Sequence, residues 1–184
     1  MDADNLENIE SSLLVQAEEM PAPTAAEVAR AIPASNPFEA VRTEILQPYL
    51  KHVSGELVGA LCIVTSQDAN NISTDMRTSL YSAAQRLGYD TQSVTWFYLG
   101  DLEDKPVATV IEALDPLAII ILDAPSIERV AKAYRIALPI DNLGYVLGRP
   151  TVCCRNFSVL LKKPETKVFA WKLLKLLGVP KEES

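Results

Sequence analysis

"LAIIILDAPSIERVAKAY", residues 117–134, decides the fold. Its first half is a continuous apolar run closed by Asp123, the pattern of a strand covered on both faces. The second half, continued to residue 138 as "SIERVAKAYRIAL", reads as a helix. A strand that must be covered twice, followed at once by a helix able to cover it, is the unit from which parallel sheets are built.

The same alternation repeats in both directions. Upstream, "LVGALCIVTS" (57–66) is an apolar strand candidate, and polar "QDANNIST" leads into "TDMRTSLYSAAQRLGY", a helix capped by Ser73 or Thr74 and stopped at Gly88. "SVTWFYL" (93–99) has the β-branched and aromatic composition of a strand, and "DKPVATVIEAL" (104–114) gives the next helix. Downstream, "RPTVCC" (149–154) is a strand and "PETKVFAWKLLKLL" (164–177) the final helix. The pattern predicts an α/β fold: a three-layer α/β/α sandwich around a mainly parallel sheet of about four strands. It contains no internal repeat.

Before this domain, "NPFEAVRTEILQPYLKHV" (36–53) predicts a helix with Asn36 as cap, Pro37 in the first turn, and Phe38, Val41, Ile45 and Leu46 turned inward. Pro48 should end or bend it. Residues 1–33 form an acidic, proline-containing tail and linker, leaving 34–184 as a single α/β domain. Within the tail, Leu6, Ile9, Leu13 and Leu14 recur at helical spacing, a stripe that should dock on another protein or on its own domain.

Composition limits the function classes. A chain of 184 residues, 48% apolar, is long enough for one substantial core. Three cysteines, two of them adjacent, disfavour a structural disulfide and suit a reducing cytoplasm. No apolar run reaches the roughly 20 residues that span a bilayer, and no greasy leader opens the sequence, so a soluble cytoplasmic protein with no membrane association is expected. The net charge of −7 divides unevenly: residues 1–30 carry −6, residues 31–148 another −6, and residues 149–184 carry +5. An acidic tail and a basic carboxyl-terminal element can attract one another, or both can be solvated surface.

In open α/β sheets, ligands bind beyond the carboxyl ends of the strands. Four loops there supply the polar candidates Asp68, Asn70, Asn71, Asp101, Asp123, Asn156 and Ser158. These residue types also cap helices and make turns, so each has a structural reading beside the functional one. No spaced glycine series follows the first strand, so a phosphate-cradling loop is absent. The sole histidine, His52, falls between a helix and the first core strand, which predicts a surface or junction residue. With one histidine, neither a serine triad nor a histidine-rich zinc site can be assembled, and no metal or cofactor is expected. Cys153 and Cys154 alternate across a strand, so at least one should be a buried structural thiol.

The span from Leu117 to Leu177 resembles the carboxyl-terminal half of the uracil-DNA glycosylase superfamily. "AIIILDAPSIERVAKAY" matches its strand, small-residue turn and helix, while "NFSVLLKKPETKVFAWKLLKLL" follows the plan of its His-Pro-Ser loop and final helix, with Ser158, Pro164, Lys167 and Trp171 in step. The resemblance implies a pocket formed by Asp68, Asn70, Asp123, Asn156 and Ser158. It also implies where the chemistry is lost, because Asn156 and Phe157 stand where that superfamily has His-Pro. Asparagine donates a hydrogen bond but cannot carry the proton that supports a departing base. The water-activating motif of the enzymes has no counterpart around Asp68 and Asn70 beyond the residues themselves, and the four cysteines of the iron-sulfur members are not present.

Arg155, Lys162, Lys163 and Lys167 lie near that loop as candidate phosphate contacts, joined by Arg149, Lys172 and Lys175. They imply weak nucleic acid binding, or simply a solvated helix face. The resemblance therefore implies a non-catalytic glycosylase-like binding or assembly module in DNA metabolism, with a protein partner engaged through the amino-terminal tail. The psi subunit of the bacterial clamp loader offers the same plan of tail plus degenerate domain. The alternative is a divergent hydrolase acting on a nucleobase or nucleotide, with Asp68 or Asp123 as base and Asn156 or Ser158 holding the substrate. Uracil excision is not expected.

Overall fold

The structure, a computed structural model, describes residues 37–178. The amino-terminal stripe, the linker and the Asn36 cap lie outside the described residues. Among the described residues, Phe38 to Gly178 belong to one compact unit. Its centre is a six-stranded mixed sheet of β1 (Val53–Gly55), β2 (Leu61–Thr65), β3 (Val94–Tyr98), β4 (Ala118–Ile121), β5 (Asn142–Val146) and β6 (Arg149–Cys153), in the order β1-β3-β2-β4-β6-β5.

The strands β3, β2, β4 and β6 run parallel, in register through Ile63↔Trp96, Ile63↔Ile120 and Ile120↔Val152. The edges β1 and β5 are antiparallel additions. The sequence reading contains neither edge, so its mainly parallel sheet corresponds to the central four strands only.

Alternation along the strands divides the apolar residues between two faces. Leu61, Ile63, Trp96, Ile120 and Val152 enter one cluster, together with Leu80 and Ala84 of α2 (Thr74–Arg86), Phe157 of α5 (Phe157–Leu160) and Leu173 of α6 (Pro164–Leu174). Cys62, Val64, Phe97, Ile119 and Ile121 enter the other, with Leu46 of α1 (Pro37–Leu46), Val110 and Ile111 of α3 (Val107–Leu114), and Ile127 and Val130 of α4 (Ala124–Tyr134). All four residues of β4 are buried, as a strand covered on both faces requires. Each such aliphatic side chain contributes roughly 1.5–3 kcal/mol of burial.

Helix ends follow local chemistry. Ser73 caps α2, its hydroxyl accepting from the Met76 N–H at 3.2 Å, and Asp123 caps α4. The helix α4 stops at Tyr134, earlier than the sequence suggests, because Arg135 takes a left-handed conformation with φ 53°.

Two expectations fail at α1. Of its four apolar positions only Leu46 is buried; Phe38 is 77% exposed, and Val41 and Ile45 also face solvent. Pro48 follows at the start of a 3₁₀ turn, Gln47–His52, so only the carboxyl end of α1 reaches the core. The same turn carries His52 inward. It is buried against β3, where its Nδ1–H donates to the Tyr98 carbonyl at 3.0 Å, so it is not a surface residue.

Candidate functional site

The carboxyl ends of β2, β3, β4 and β6 converge as the sheet order requires, and the candidate residues separate there into two groups. Asp123 ends β4 and is committed to structure. Its Oδ2 accepts from the Thr65 hydroxyl at 2.8 Å and the Ser66 N–H at 2.9 Å, while Oδ1 accepts from the Ser126 N–H at 3.0 Å and hydroxyl at 2.7 Å. Partial burial pushes its carboxyl up, but the Ser66, Ser126 and Thr65 hydrogen bonds outweigh this and hold it below the ordinary aspartate value.

Asn156 is committed in the same way. Its Oδ1 accepts from the Ser158 hydroxyl at 2.7 Å and the Val159 N–H at 3.2 Å, capping α5. The loop is fastened to the end of β4 by an isolated antiparallel bridge between Asp123 and Asn156, and by the Phe157 N–H donating to the Leu122 carbonyl at 2.9 Å. The structure thus brings Asp123 and Asn156 together, but as two cap residues.

Asp68 and Asn70 make no hydrogen bond to this pair among the described residues. Both are exposed, on the 3₁₀ turn after β2. The Asp68 carboxylate lies over Gly100 at the end of β3, where a Cβ would come 2.5 Å from Oδ1.

That turn is held by a residue the sequence does not single out. Arg77 donates to the Ala69 carbonyl at 2.8 Å and the Tyr98 hydroxyl at 3.1 Å, with its guanidinium 4.8 Å from the centre of the Trp96 ring. Beyond β3, Asp101 lies 3.3 Å from Lys51 Nζ and 3.8 Å from His52 Nε2. The Lys51 hydrogen bond holds its carboxyl below the usual range. His52 therefore does border the carboxyl ends of the strands, at their β1 side, because β1 runs antiparallel to β3.

One opening lies beside these ends, between α2 and the α5–α6 segment. A groove of about 600 Å³ is lined by Ser73, Asp75, Ser79, Ser158, Lys162 and Lys167 among others. A second hollow of about 230 Å³ continues it along α2 and α6, past Lys167, Trp171 and Arg86. Lys162 and Lys167 have no ion-pair partner among the described residues. They supply positive charge beside the hydroxyls of Ser73, Thr78, Ser79 and Ser158, against the one carboxylate of Asp75.

Of the remaining cations, Lys163 is exposed outside the groove, at the start of α6. Arg155 is turned toward Asp141, Nε to Oδ2 at 3.7 Å. Arg149 starts β6, at the opposite end of the sheet, where it binds Glu112 and Asp115 at 2.8 and 3.0 Å. It therefore does not join the loop cluster, contrary to the sequence reading.

The thiols are inert by burial. Cys62, Cys153 and Cys154 are all free and buried, and burial pushes each up to about 12. Among the described residues no group of three or more His, Cys, Asp or Glu side chains is gathered to hold a metal ion, and no helix is long and apolar enough to cross a membrane. No protein-family model matches the chain, and no curated protein matches it.

Proposed function

We propose that this chain is a degenerate uracil-DNA glycosylase-like domain, a three-layer α/β/α sandwich that acts as a non-catalytic binding or assembly module in DNA metabolism. One observation carries the reading: the polar groups at the end of β4 are consumed by the fold. Both oxygens of Asp123 are occupied by Thr65, Ser66 and Ser126, and Asn156 caps its own helix. Water activation and leaving-group support each need a group aimed at a reacting atom, and these two are aimed at backbone and hydroxyl donors. The relation to glycosylases is supported by the position of the "NFS" loop, bridged to the end of the "AIIILDA" strand through Asp123 and Asn156.

The binding role rests on the groove beside that loop. Lys162 and Lys167 have no ion-pair partner among the described residues, and Ser73, Thr78, Ser79 and Ser158 line the same groove with hydroxyls of the kind that bond phosphate and sugar oxygens. A short single strand of nucleic acid is the ligand that this set recognises, through its backbone and without sequence preference.

Two assays test the proposal. Labelled oligonucleotides containing uracil should remain intact with the purified protein; excision that disappears in Asp68→Ala would instead favour the divergent hydrolase. Fluorescence anisotropy with a single-stranded oligonucleotide should show salt-dependent binding. Lys162→Glu and Lys167→Glu should each weaken it and lower the salt slope by about one. Binding unaffected by both substitutions would remove the groove from the proposal.

A further inference from the structure

The two tryptophans stand in opposite settings. Trp96 is fully buried in β3, and its indole N–H donates to the Tyr81 hydroxyl at 3.1 Å. Trp171, on α6, is half-buried, and its indole N–H makes no hydrogen bond to the described residues. A tryptophan committed to a core pairs its N–H, as Trp96 does. Trp171 instead walls the hollow of about 230 Å³ between α2 and α6.

Periodicity builds this hollow. On α2, Ser79, Ala83 and Arg86 recur at helical spacing, and on α6 Lys167, Trp171 and Leu174 do the same, so each set shares one face of its helix. The floor is apolar, made by Ala83, Phe157 and Leu174, all buried. The rim is cationic: Arg86 and Lys167 border it, and no carboxylate does. Neither cation has an ion-pair partner among the described residues. The Arg86 guanidinium, on an exposed side chain, lies 6.0 Å from the centre of the Trp171 ring, at the outer limit of a cation–π contact.

These properties select a ligand that is flat and apolar at one end and anionic at the other. At about 230 Å³ the hollow falls below the roughly 300 Å³ at which pockets for whole drug-sized ligands begin, so it suits one planar ring system. The adjoining groove of about 600 Å³ has room for what that ring is attached to. Ser79, Leu161 and Lys167 line both spaces, which makes them continuous. Along α6, Lys167 and Trp171 are one turn apart, about 6 Å of rise, the span of one sugar between a phosphate and its base.

We propose that the hollow is a nucleobase site, in which one base of a single strand stacks on Trp171 beside Arg86 while its phosphate meets Lys167. The proposal rests on the reading of the groove as a nucleic-acid backbone site, and adds the group that distinguishes a nucleic acid from other polyanions. Stacking accepts any base, because each has a π face, so no sequence preference arises. Asp123 and Asn156 do not line the hollow. A base held there is bound and not presented to them.

Two single strands of equal length, one carrying bases and one abasic throughout, present the same phosphates to the full chain and test the proposal. Trp96 is buried, so quenching of tryptophan fluorescence by a stacked base reports Trp171, the other of the two tryptophans. The base-carrying strand should bind about tenfold or more tighter than the abasic one and should alone quench. Trp171→Ala should abolish that difference and leave the salt slope unchanged, because the indole contacts no phosphate. Trp171→Phe, which keeps an aromatic face, should retain most of the difference, and Arg86→Ala, at an exposed side chain, should narrow it. Lys167→Glu should weaken both strands. Equal affinity for the two strands, both weakened by Lys167→Glu, overturns the base site and leaves the backbone groove standing; binding of neither strand overturns both. A difference that survives in a folded Trp171→Ala overturns the proposal. So does quenching by an acidic, phenylalanine-containing peptide and not by the strand, which would give the hollow to a protein partner.

Discussion

Thr65 and Asp123 tie the carboxyl ends of β2 and β4 together: the threonine hydroxyl donates to Asp123 Oδ2 at 2.8 Å. The other carboxylate oxygen caps α4 through Ser126. One side chain thus closes a seam between strands and starts the helix that covers them, and this double duty withdraws it from chemistry.

Replacing Asp123 with alanine should cost about 2–4 kcal/mol, since it removes a helix cap and leaves the Thr65 hydroxyl and Ser66 N–H without their charged acceptor. Urea denaturation at neutral pH measures the loss. A cost below about 0.5 kcal/mol would mean that solvent replaces the carboxylate and that the side chain is free for other roles.

The same carboxyl predicts a pH dependence. Its folded value is depressed, because hydrogen bonds from Ser66, Ser126 and Thr65 outweigh the effect of burial. The unfolded chain therefore binds the proton more readily, and the contribution of Asp123 is complete above the unfolded value of about 3.9. It is lost as pH falls through the depressed folded value. The stability gap between wild type and Asp123→Asn should accordingly narrow below about pH 4. A gap that stays constant down to pH 2 would contradict the assignment.

Thiol chemistry offers a test of the core. With Cys62, Cys153 and Cys154 buried and pushed up to about 12, almost no thiolate exists at pH 8. An aromatic disulfide reagent should titrate none of the three rapidly in the native protein and all three in denaturant. Fast reaction of one thiol would mark a locally open strand end.

The central strands were legible because each is a continuous apolar run, and a run that feeds two core clusters needs no further signal. Cys153 and Cys154 illustrate this, entering opposite faces as period two demands. The edge strands were not legible: β1 has three residues, and β5 is mixed in polarity, so neither carries a pattern of its own. For α1, the spacing of Phe38, Val41 and Ile45 describes a helix with an apolar stripe, but nothing local says whether the domain covers that stripe. At the site, the fold brings Asp123, Asn156 and Ser158 near one another. Their roles depend on Thr65, Ser66, Ser126 and Val159, contacts made only by the fold. His52 does sit at the junction before β1, but it is buried rather than exposed, because the antiparallel β1 that sets it against the end of β3 leaves no signal in the sequence.

Arg149 distinguishes structural cations from binding ones. Its guanidinium meets both oxygens of Glu112 at 2.8 and 3.1 Å and Asp115 at 3.0 Å. Glu112 also accepts from the Tyr134 hydroxyl at 2.6 Å; the Tyr134 phenol is pushed well up, first by burial and then by this carboxylate. Lysine cannot reproduce the fork, but both acids are substantially exposed and screened, so Arg149→Lys should cost only about 1 kcal/mol. Because Arg149 lies at the amino end of β6, the same variant should leave oligonucleotide binding unchanged. A binding loss matching that of Lys167→Glu would contradict the placement of the groove.

Two glycines at positive φ separate backbone strain from steric collision. Gly148, φ +85°, occupies the β5–β6 turn, and a Cβ there would meet nothing within 4 Å. Gly55, φ +92°, ends β1, and a Cβ there would strike the Val94 carbonyl of the neighbouring strand. Gly148→Ala therefore carries only the conformational penalty, about 1–2 kcal/mol. Gly55→Ala carries that penalty and must also displace β1 from β3, so its cost should exceed the first by about 1–3 kcal/mol. The displacement should appear separately from the stability loss. The pairs Val53↔Phe97 and Ser54↔Trp96 belong to this edge, so those of its amides that bond across from β1 to β3 should exchange faster in Gly55→Ala and keep wild-type protection in Gly148→Ala. Equal destabilisation by the two substitutions, with β1 amides protected in both, would show that the edge strand accommodates a side chain and that its short length alone ends the sheet there.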